Sequence, residues 1–172
     1  MLSKTSIVIL GLISEENLSA YDILKRIDER RMKYWMPIGD TTVYETALRL
    51  EKKKYITVNN IEHKKSIYAI TEEGKQELLN TISELFLRVD YDTIWFSLAT
   101  MFCHLLDLDK YSKLIIERES ILQEYLQGTK QQYEMMKANG VMENRHYTVQ
   151  RMIQVIELEL ETINNMKKLG ES

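Results

Sequence analysis

Residues 37–56, with the sequence PIGDTTVYETALRLEKKKYI, are the most informative about the fold of this chain. Pro37 and Gly39 break the helical pattern before them, and Asp40 or Thr41 is predicted to cap a new helix. Its apolar side chains share one face, and its polar and charged side chains are predicted to lie away from that face. The apolar set is Val43, Ala47 and Leu50, and the polar set is Thr42, Glu45, Thr46, Arg49, Lys52 and Lys53.

Two further helices are predicted before this stretch. Residues Lys4 to Ile13 are mostly apolar, so this short helix must be packed against the rest of the protein. Ser19 is a plausible N-cap with Asp22 three residues later, a variant of the capping box. The second helix is predicted to run from there to about Arg31.

The residues after the stretch change period and predict a β-hairpin. Residues 55–61 and 66–70 are rich in β-branched and aromatic residues, and they flank the polar turn Glu62-His63-Lys64-Lys65. Thr71 is then predicted to cap a further helix. Three helices followed by a hairpin with a basic tip form the plan of a winged helix-turn-helix. In this fold the third helix enters the major groove, and the hairpin, called the wing, reaches the neighbouring DNA.

The third helix and the wing carry the side chains that this plan requires. Hydroxyl groups of Thr41, Thr42 and Thr46 can fit against base edges, and three cations lie toward the far backbone. Glu45 and Glu51 weaken the positive field of the helix, so affinity should depend on dimerisation. The cations on the helix are Arg49, Lys52 and Lys53, and the wing offers His63, Lys64 and Lys65.

Residues 37–56, with Ala20-Tyr21-Asp22-Ile23 before them and residues 68–74 after them, resemble the PadR family of bacterial transcriptional regulators. The resemblance covers residues 1 to about 85. It implies a winged helix joined to a helical C-terminal region that dimerises, and several members are repressors that small aromatic or drug-like effectors release. It also implies that Tyr21, Tyr44 and the residues around Thr41 and Thr42 face DNA.

Two residues depart from the pattern of that family. Glu45 replaces a frequent proline, so the operator preference of the family does not transfer directly. Lys54 stands where a glycine commonly ends the recognition helix. Because Lys54 takes the place of that glycine, we expect this helix to end differently from the recognition helix of the family, with Lys54 or Tyr55 in an extended conformation.

The rest of the chain is predicted to be helical throughout. The segment Ile94 to Leu106 is apolar nearly all round, which is typical of a buried helix. Two long helices follow, one opening at Asp109 and one from about Asn144. Helices of this length must bury their apolar stripes on a partner, and we expect a dimer interface that includes Tyr111, Ile115, Leu122, Ile153, Ile156, Leu160 and Ile163.

The same half holds candidate effector-binding residues. Trp95 and Phe96 could stack on a flat ligand while the flexible Met101 adapts to its shape, or all three could belong to a helix-bundle core. Arg118 interrupts an apolar stripe. It is predicted either to pair with a glutamate, Glu119 or one from another helix, or to anchor an effector carboxylate.

The composition and charge of the chain exclude some classes of protein. The chain has 172 residues, one cysteine, one proline, six glycines and a net charge of -3. Residues 1–75 hold 13 Lys or Arg against 11 Asp or Glu, a charge of +2, and the remainder holds 10 against 15, a charge of -5. This balance excludes a uniformly basic nucleic-acid wrapper, and the basic N-terminal part is where a polyanion would dock.

No enzymatic constellation is recognisable. The histidines at 63, 104 and 146 share no metal-ligand spacing, and Cys103 and His104 point about 100° apart on a helix, so they form no dyad. The glycines form no phosphate-cradling loop. We therefore predict no catalytic activity, no metal and no cofactor.

The fold class expected is mainly α with a small β-hairpin: a winged helix-turn-helix DNA-binding domain at 1–88 and a helical dimerisation and effector-binding domain at 89–172. The function expected is a cytoplasmic regulator that binds an inverted-repeat operator as a homodimer, a repressor that a small aromatic or drug-like effector releases. Its expected partners are double-stranded DNA, a second copy of the chain and that effector, without a membrane. The alternative is a winged-helix protein-interaction module that binds no operator.

Overall fold

The computed structural model describes residues 2–34, 36–62, 65–89 and 92–170. The predicted fold class, mainly helical with a small β-hairpin, is confirmed. Single 3-10 turns lie at Met32–Tyr34 and Cys103–Leu105. The elements in chain order are α1 (Lys4–Glu15), β1 (Leu18–Ser19), α2 (Ala20–Glu29), α3 (Asp40–Lys52), β2 (Ile56–Glu62), β3 (Lys65–Ile70), α4 (Glu72–Leu87), α5 (Ile94–Met101), α6 (Leu108–Ala138) and α7 (Glu143–Gly170).

Three strands form one small antiparallel sheet in the order β1, β3, β2. The hairpin β2–β3 is the predicted one, and its register is interrupted between Val58 and Asn60. The added strand β1 pairs Leu18 with Tyr68 and Ser19 with Ile67. Strand β1 has only two residues, too few to show an alternating pattern, so the sequence alone could not reveal it. It ties the start of α2 to the hairpin.

The chain divides into two compact units, and the first contains Met1–Leu85 and Ile94–Leu105. Helix α1 forms its centre, since every residue from Ser6 to Ile13 is buried, as its apolar sequence predicted. Phe102 lies against α1 so closely that a Cβ on Gly11 would come within 2.3 Å of its ring. The apolar segment after Ile94 is therefore part of this core, although α5 already ends at Met101 rather than continuing to Leu106.

The predicted helix starts at Ser19 and Thr71 are confirmed. The Oγ atom of Ser19 accepts a hydrogen bond from the N–H of Asp22 at 3.2 Å, and the Asp22 carboxylate accepts one from the N–H of Ser19 at 3.3 Å. The Oγ1 atom of Thr71 accepts a hydrogen bond from the N–H of Gly74 at 3.0 Å. Both caps satisfy backbone donors that a helix start otherwise leaves without a partner.

Three expectations for α3 and its end are wrong. The N-cap is Gly39, which supplies no side-chain acceptor, whereas Asp40 is already helical and contacts Lys33. Thr46 is fully buried instead of lying on the polar side, because it follows Val43 by three residues and so shares the apolar face. Lys54 is not extended, since its φ of +62° is left-handed, whereas the alternative, an extended Tyr55, stays a prediction.

The second unit contains Phe86–Thr93 and Leu106–Ser172, and its main feature is the pair α6 and α7. Contacts between Tyr111 and Met166 near one end and between Tyr133 and Gln150 near the other show that the helices are antiparallel. Helix α6 begins at Leu108, one residue before the predicted start, because the Asp107 side chain accepts a hydrogen bond from the N–H of Lys110. No helix in the described part of the chain has the length and hydropathy of a membrane span.

Candidate nucleic-acid interface

Helix α3 presents one polar face to solvent. The predicted hydroxyl-bearing residues Thr41 and Thr42 are exposed, and Tyr44 is 47% exposed. Thr46 is the exception among the predicted residues, and its buried hydroxyl accepts a hydrogen bond from Nη2 of Arg49 at 2.9 Å. The other predicted residues of this helix, Glu45, Arg49, Lys52 and Lys53, are also exposed.

A groove of about 290 Å³ lies beside this face. Tyr21 from α2, Tyr44 from α3 and Lys65 from β3 meet here, which links three positions that are far apart in the sequence. Tyr68 forms part of the lining and is almost buried, and burial together with the nearby Glu51 raises the pKa of its phenol. The remaining lining residues are small: Ser19, Ala20 and Ser66.

Lys65 lies at the start of β3. Its Nζ atom is 4.2 Å from the centre of the Tyr21 ring, a cation–π distance that directs the ammonium group toward the groove. The other two predicted wing residues, His63 and Lys64, lie outside the described residues. Lys65 therefore connects the wing with the exposed tyrosines of the helical part.

The cations of α2 and those at the end of α3 differ in their partners. Arg26 bridges Glu16 and Glu29, and Arg30 pairs with Glu15, so most of the α2 charge is neutralised locally. Lys33 lies 3.0 Å from Asp28 and 3.1 Å from Asp40, and these carboxylates raise the pKa of its ammonium group. Within the described residues, Lys52, Lys53 and Lys54 have no carboxylate partner.

This arrangement, a polar helix face flanked by a wing and by lysines that have no carboxylate partner among the described residues, occurs in residues that match a known family. Residues 9–80 match the family model described as the transcriptional regulator PadR-like family. These residues of the chain are similar to the PadR-like family. The resemblance that the sequence showed is thereby confirmed over residues 9–80, and the family is one of transcriptional regulators, the class that the sequence predicted.

Solved structures of PadR-like proteins are similar to the chain at low identity. A Bacillus subtilis PadR in complex with operator DNA is 21% identical, covering 96% of this chain and 98% of that chain, with a TM-score of 0.40. A PadR-like regulator from Bacillus cereus is 23% identical, covering 97% and 98%, with a TM-score of 0.42. Bacillus subtilis PadR in complex with p-coumaric acid is 20% identical, covering 99% and 100%, with a TM-score of 0.40. The comparison with curated proteins found no match.

Outside the PadR-like domain, the predicted effector residues lie in different surroundings. Phe96 is buried, and Trp95 and Met101 are partly exposed. The Nζ atom of Lys4 lies 4.9 Å from the centre of a Trp95 ring. These three residues belong to the first unit, whereas Arg118 belongs to the second.

Arg118 is enclosed by protein groups, with a relative exposure of 0%. Its Nη1 atom donates to the carbonyl oxygens of Phe86 at 2.7 Å and Arg88 at 2.9 Å, and its Nη2 atom donates to Glu159 at 2.5 Å. Loss of hydration raises the pKa of Glu159 and lowers that of Arg118, and their mutual attraction opposes both shifts. The partner is thus a glutamate from another helix, while Glu119 pairs with Lys167.

A second groove, of about 390 Å³, was not predicted from the sequence. Four of its lining residues lie on α7 at a spacing that places them on one side of the helix, and the fifth is Thr93. The spacing was visible in the sequence, but the open space beside this side of α7 was not. The α7 residues are Thr148, Arg151, Met152 and Val155.

The predicted dimer residues lie largely inside the α6–α7 pair of one chain. Ile115, Leu122, Ile156 and Ile163 are buried there, and Tyr111, Ile153 and Leu160 are partly exposed. Other large apolar side chains of the two helices point to solvent. They include Leu108 and Ile116 on α6 and Tyr147 and Leu158 on α7, each more than 60% exposed.

Proposed function

We propose that the protein is a homodimeric repressor that binds an inverted-repeat operator, with α3 in the major groove and the β2–β3 hairpin on the neighbouring backbone. The observation that carries the proposal is the polar face of α3, whose terminal lysines are exposed and lack carboxylate partners in the described part of the chain. Cations that are not neutralised locally are available to phosphates. The groove of Tyr21, Tyr44 and Lys65 supplies a second contact surface beside them.

A dimer would use apolar surface that the single chain leaves exposed. Tyr147 and Leu158 are separated by eleven residues, close to three helical turns, so they share one face of α7. Leu108 and Ile116 supply exposed apolar surface on α6. Burial of such side chains against a second copy removes apolar area from water and favours association. The proposed interface therefore extends beyond the sequence-predicted residues, several of which are already buried within one chain.

The proposed effector is a small aromatic acid, and the proposed site is the groove along α7. Met152 and Val155 offer apolar contacts, while Arg151 and the hydroxyl of Thr148 offer polar ones. A planar ring with a carboxylate satisfies both kinds of contact. We propose this groove as the effector site instead of the sequence-predicted residues Trp95, Phe96 and Met101. Phe96 is buried, so its ring is not available to stack on a ligand.

A band-shift assay tests operator binding. We expect the purified chain to retard the duplex that lies upstream of its own coding region, at moderate salt and with nonspecific competitor present. A shift that the competitor abolishes would instead favour a winged-helix module that binds proteins. Sedimentation measured in parallel should give the mass of two chains.

Substitutions on α3 should separate sequence readout from charge. Thr42→Val should change the preferred base at one position in each half-site, by about 1–3 kcal/mol of discrimination. Lys52→Ala with Lys53→Ala should instead weaken binding to every sequence and lower the salt slope by about 0.9 for each phosphate that is no longer neutralised. Fluorescence anisotropy with duplexes of different sequence, repeated over a salt series, measures the base preference and the salt slope. Lys75→Ala, which removes an exposed lysine on α4, is the control and should leave both quantities unchanged.

Replacing Arg151 tests the proposed effector groove. Arg151→Ala should lower the affinity for a hydroxycinnamate about 10- to 150-fold, because a charge-assisted hydrogen bond contributes roughly 1.5–3 kcal/mol. Titration calorimetry with p-coumarate measures the change. Arg145→Ala, an exposed arginine on the same helix, should bind as the unaltered chain does. Equal affinities for all three proteins would refute the groove as the effector site.

A further inference from the structure

Lys54 has a backbone conformation that lysine rarely adopts. Its φ is +62°, in the left-handed region. There the Cβ atom of an L-residue crowds the following carbonyl oxygen, so glycine is the usual residue. Lys53 is the C-cap of α3, which places Lys54 at the next position, where glycine is strongly enriched.

Hydrogen bonds on both sides impose this conformation. The N–H of Lys54 donates to the carbonyl of Glu51 at 2.8 Å, and the N–H of Tyr55 donates to the carbonyl of Leu50 at 3.0 Å. These two bonds form a Schellman motif, which requires the left-handed residue. Oγ1 of Thr71 also donates to the carbonyl of Lys54 at 2.6 Å. The turn therefore keeps its shape whichever side chain occupies position 54.

The side chain of Lys54 adds nothing visible to the fold. It is exposed, and among the described residues it has no carboxylate or aromatic partner. It follows Arg49, Lys52 and Lys53, so it extends the cationic end of α3 to a fourth positive charge. A glycine would complete the same motif without the steric conflict, yet the chain has a lysine here.

We propose that Lys54 is a DNA phosphate contact, retained at a position where the backbone favours glycine because its charge serves binding. This inference rests on the proposed function and names a contact within it. Residues in sparsely populated backbone regions persist where the surrounding structure fixes them, and they cluster at functional sites. The rival explanation is that the charge of Lys54 only stabilises the negative pole of α3.

The test compares Lys54→Gly, Lys54→Asn and Lys54→Arg in the full chain. Thermal unfolding gives the stability, and anisotropy with a random-sequence duplex over a KCl series gives the affinity and the salt slope. Lys54→Gly should raise the unfolding midpoint by about 2–4 °C and weaken DNA binding about five- to tenfold at 0.1 M KCl. Higher stability together with weaker binding is the signature of a strained residue that serves binding.

The other two variants separate charge from backbone. Lys54→Asn should lose as much affinity as Lys54→Gly, since asparagine tolerates the left-handed region but has no charge. Lys54→Arg should bind within about twofold of the unaltered chain. If the glycine and asparagine variants keep the affinity and the salt slope, the phosphate contact is refuted while operator binding stands. If the unaltered chain binds no duplex, the proposed function fails and this contact fails with it.

Discussion

Replacing Gly74 by alanine is expected to destabilise the PadR-like domain by about 3 kcal/mol and to abolish DNA binding. A Cβ at this position would lie 2.0 Å from the carbonyl oxygen of Tyr55 and 2.8 Å from its carbonyl carbon. Both are backbone atoms, and the same oxygen accepts a hydrogen bond from the N–H of Thr71 at 3.0 Å. The segment that joins α3 to β2 would therefore have to move, which displaces the wing from the recognition helix.

The matched control is Gly128→Ala on α6. A Cβ at Gly128 meets no atom within 4 Å, so this substitution should stabilise the protein by about 0.5–1 kcal/mol through helix propensity alone. Urea unfolding followed by circular dichroism, at one fixed protein concentration, measures both variants. Equal stability of the two variants would show that the close approach of Gly74 to Tyr55 does not exist in solution.

Glu159→Ala is expected to be as damaging in the second unit, with a loss of about 3–5 kcal/mol. It removes the carboxylate partner from the buried guanidinium of Arg118, which also donates to the carbonyls of Phe86 and Arg88. Those carbonyls carry no net charge, so the cost arises from the uncompensated positive charge rather than from the ion pair itself. Arg118→Met combined with Glu159→Leu should accordingly recover most of the lost stability, because it removes both charges and keeps the volume.

A second ion pair between the same helices provides the control. Lys130 and Glu157 are 2.7 Å apart, but each side chain is about half exposed. Glu157→Ala should cost less than about 1 kcal/mol, as exposed pairs do. The uncompensated charge of Arg118 would be ruled out as the cause if Glu159→Ala cost no more than Glu157→Ala, or if the double substitution were worse than the single one.

The sequence predicted the parts of the fold that local chemistry determines. The capping pair Ser19 and Asp22 marked the start of α2, Thr71 marked α4, and the change from helical to alternating period marked the hairpin. The exposed face of α3 followed from the spacing of its apolar residues. Each of these signals depends on residues within one or two turns of each other.

Tertiary contacts decided the features that the sequence did not predict. Thr46 shares the apolar face by its spacing from Val43, but its hydroxyl gave no sign that the first unit buries it. The groove of Tyr21, Tyr44 and Lys65 requires strand β1, which is two residues long. Arg118 could be paired with a glutamate from its charge, but the choice of Glu159 over Glu119 depends on the register of α6 against α7.

We propose that two copies of this chain bind one duplex through paired α3 helices, and selection of bound sequences from a random DNA pool is the sharpest test of this proposal. We expect the recovered sequences to share an inverted repeat whose half-site centres are about 10–10.5 base pairs apart, or a multiple of that distance. Recovery of a single unrepeated half-site, or no enrichment over the starting pool, would contradict it.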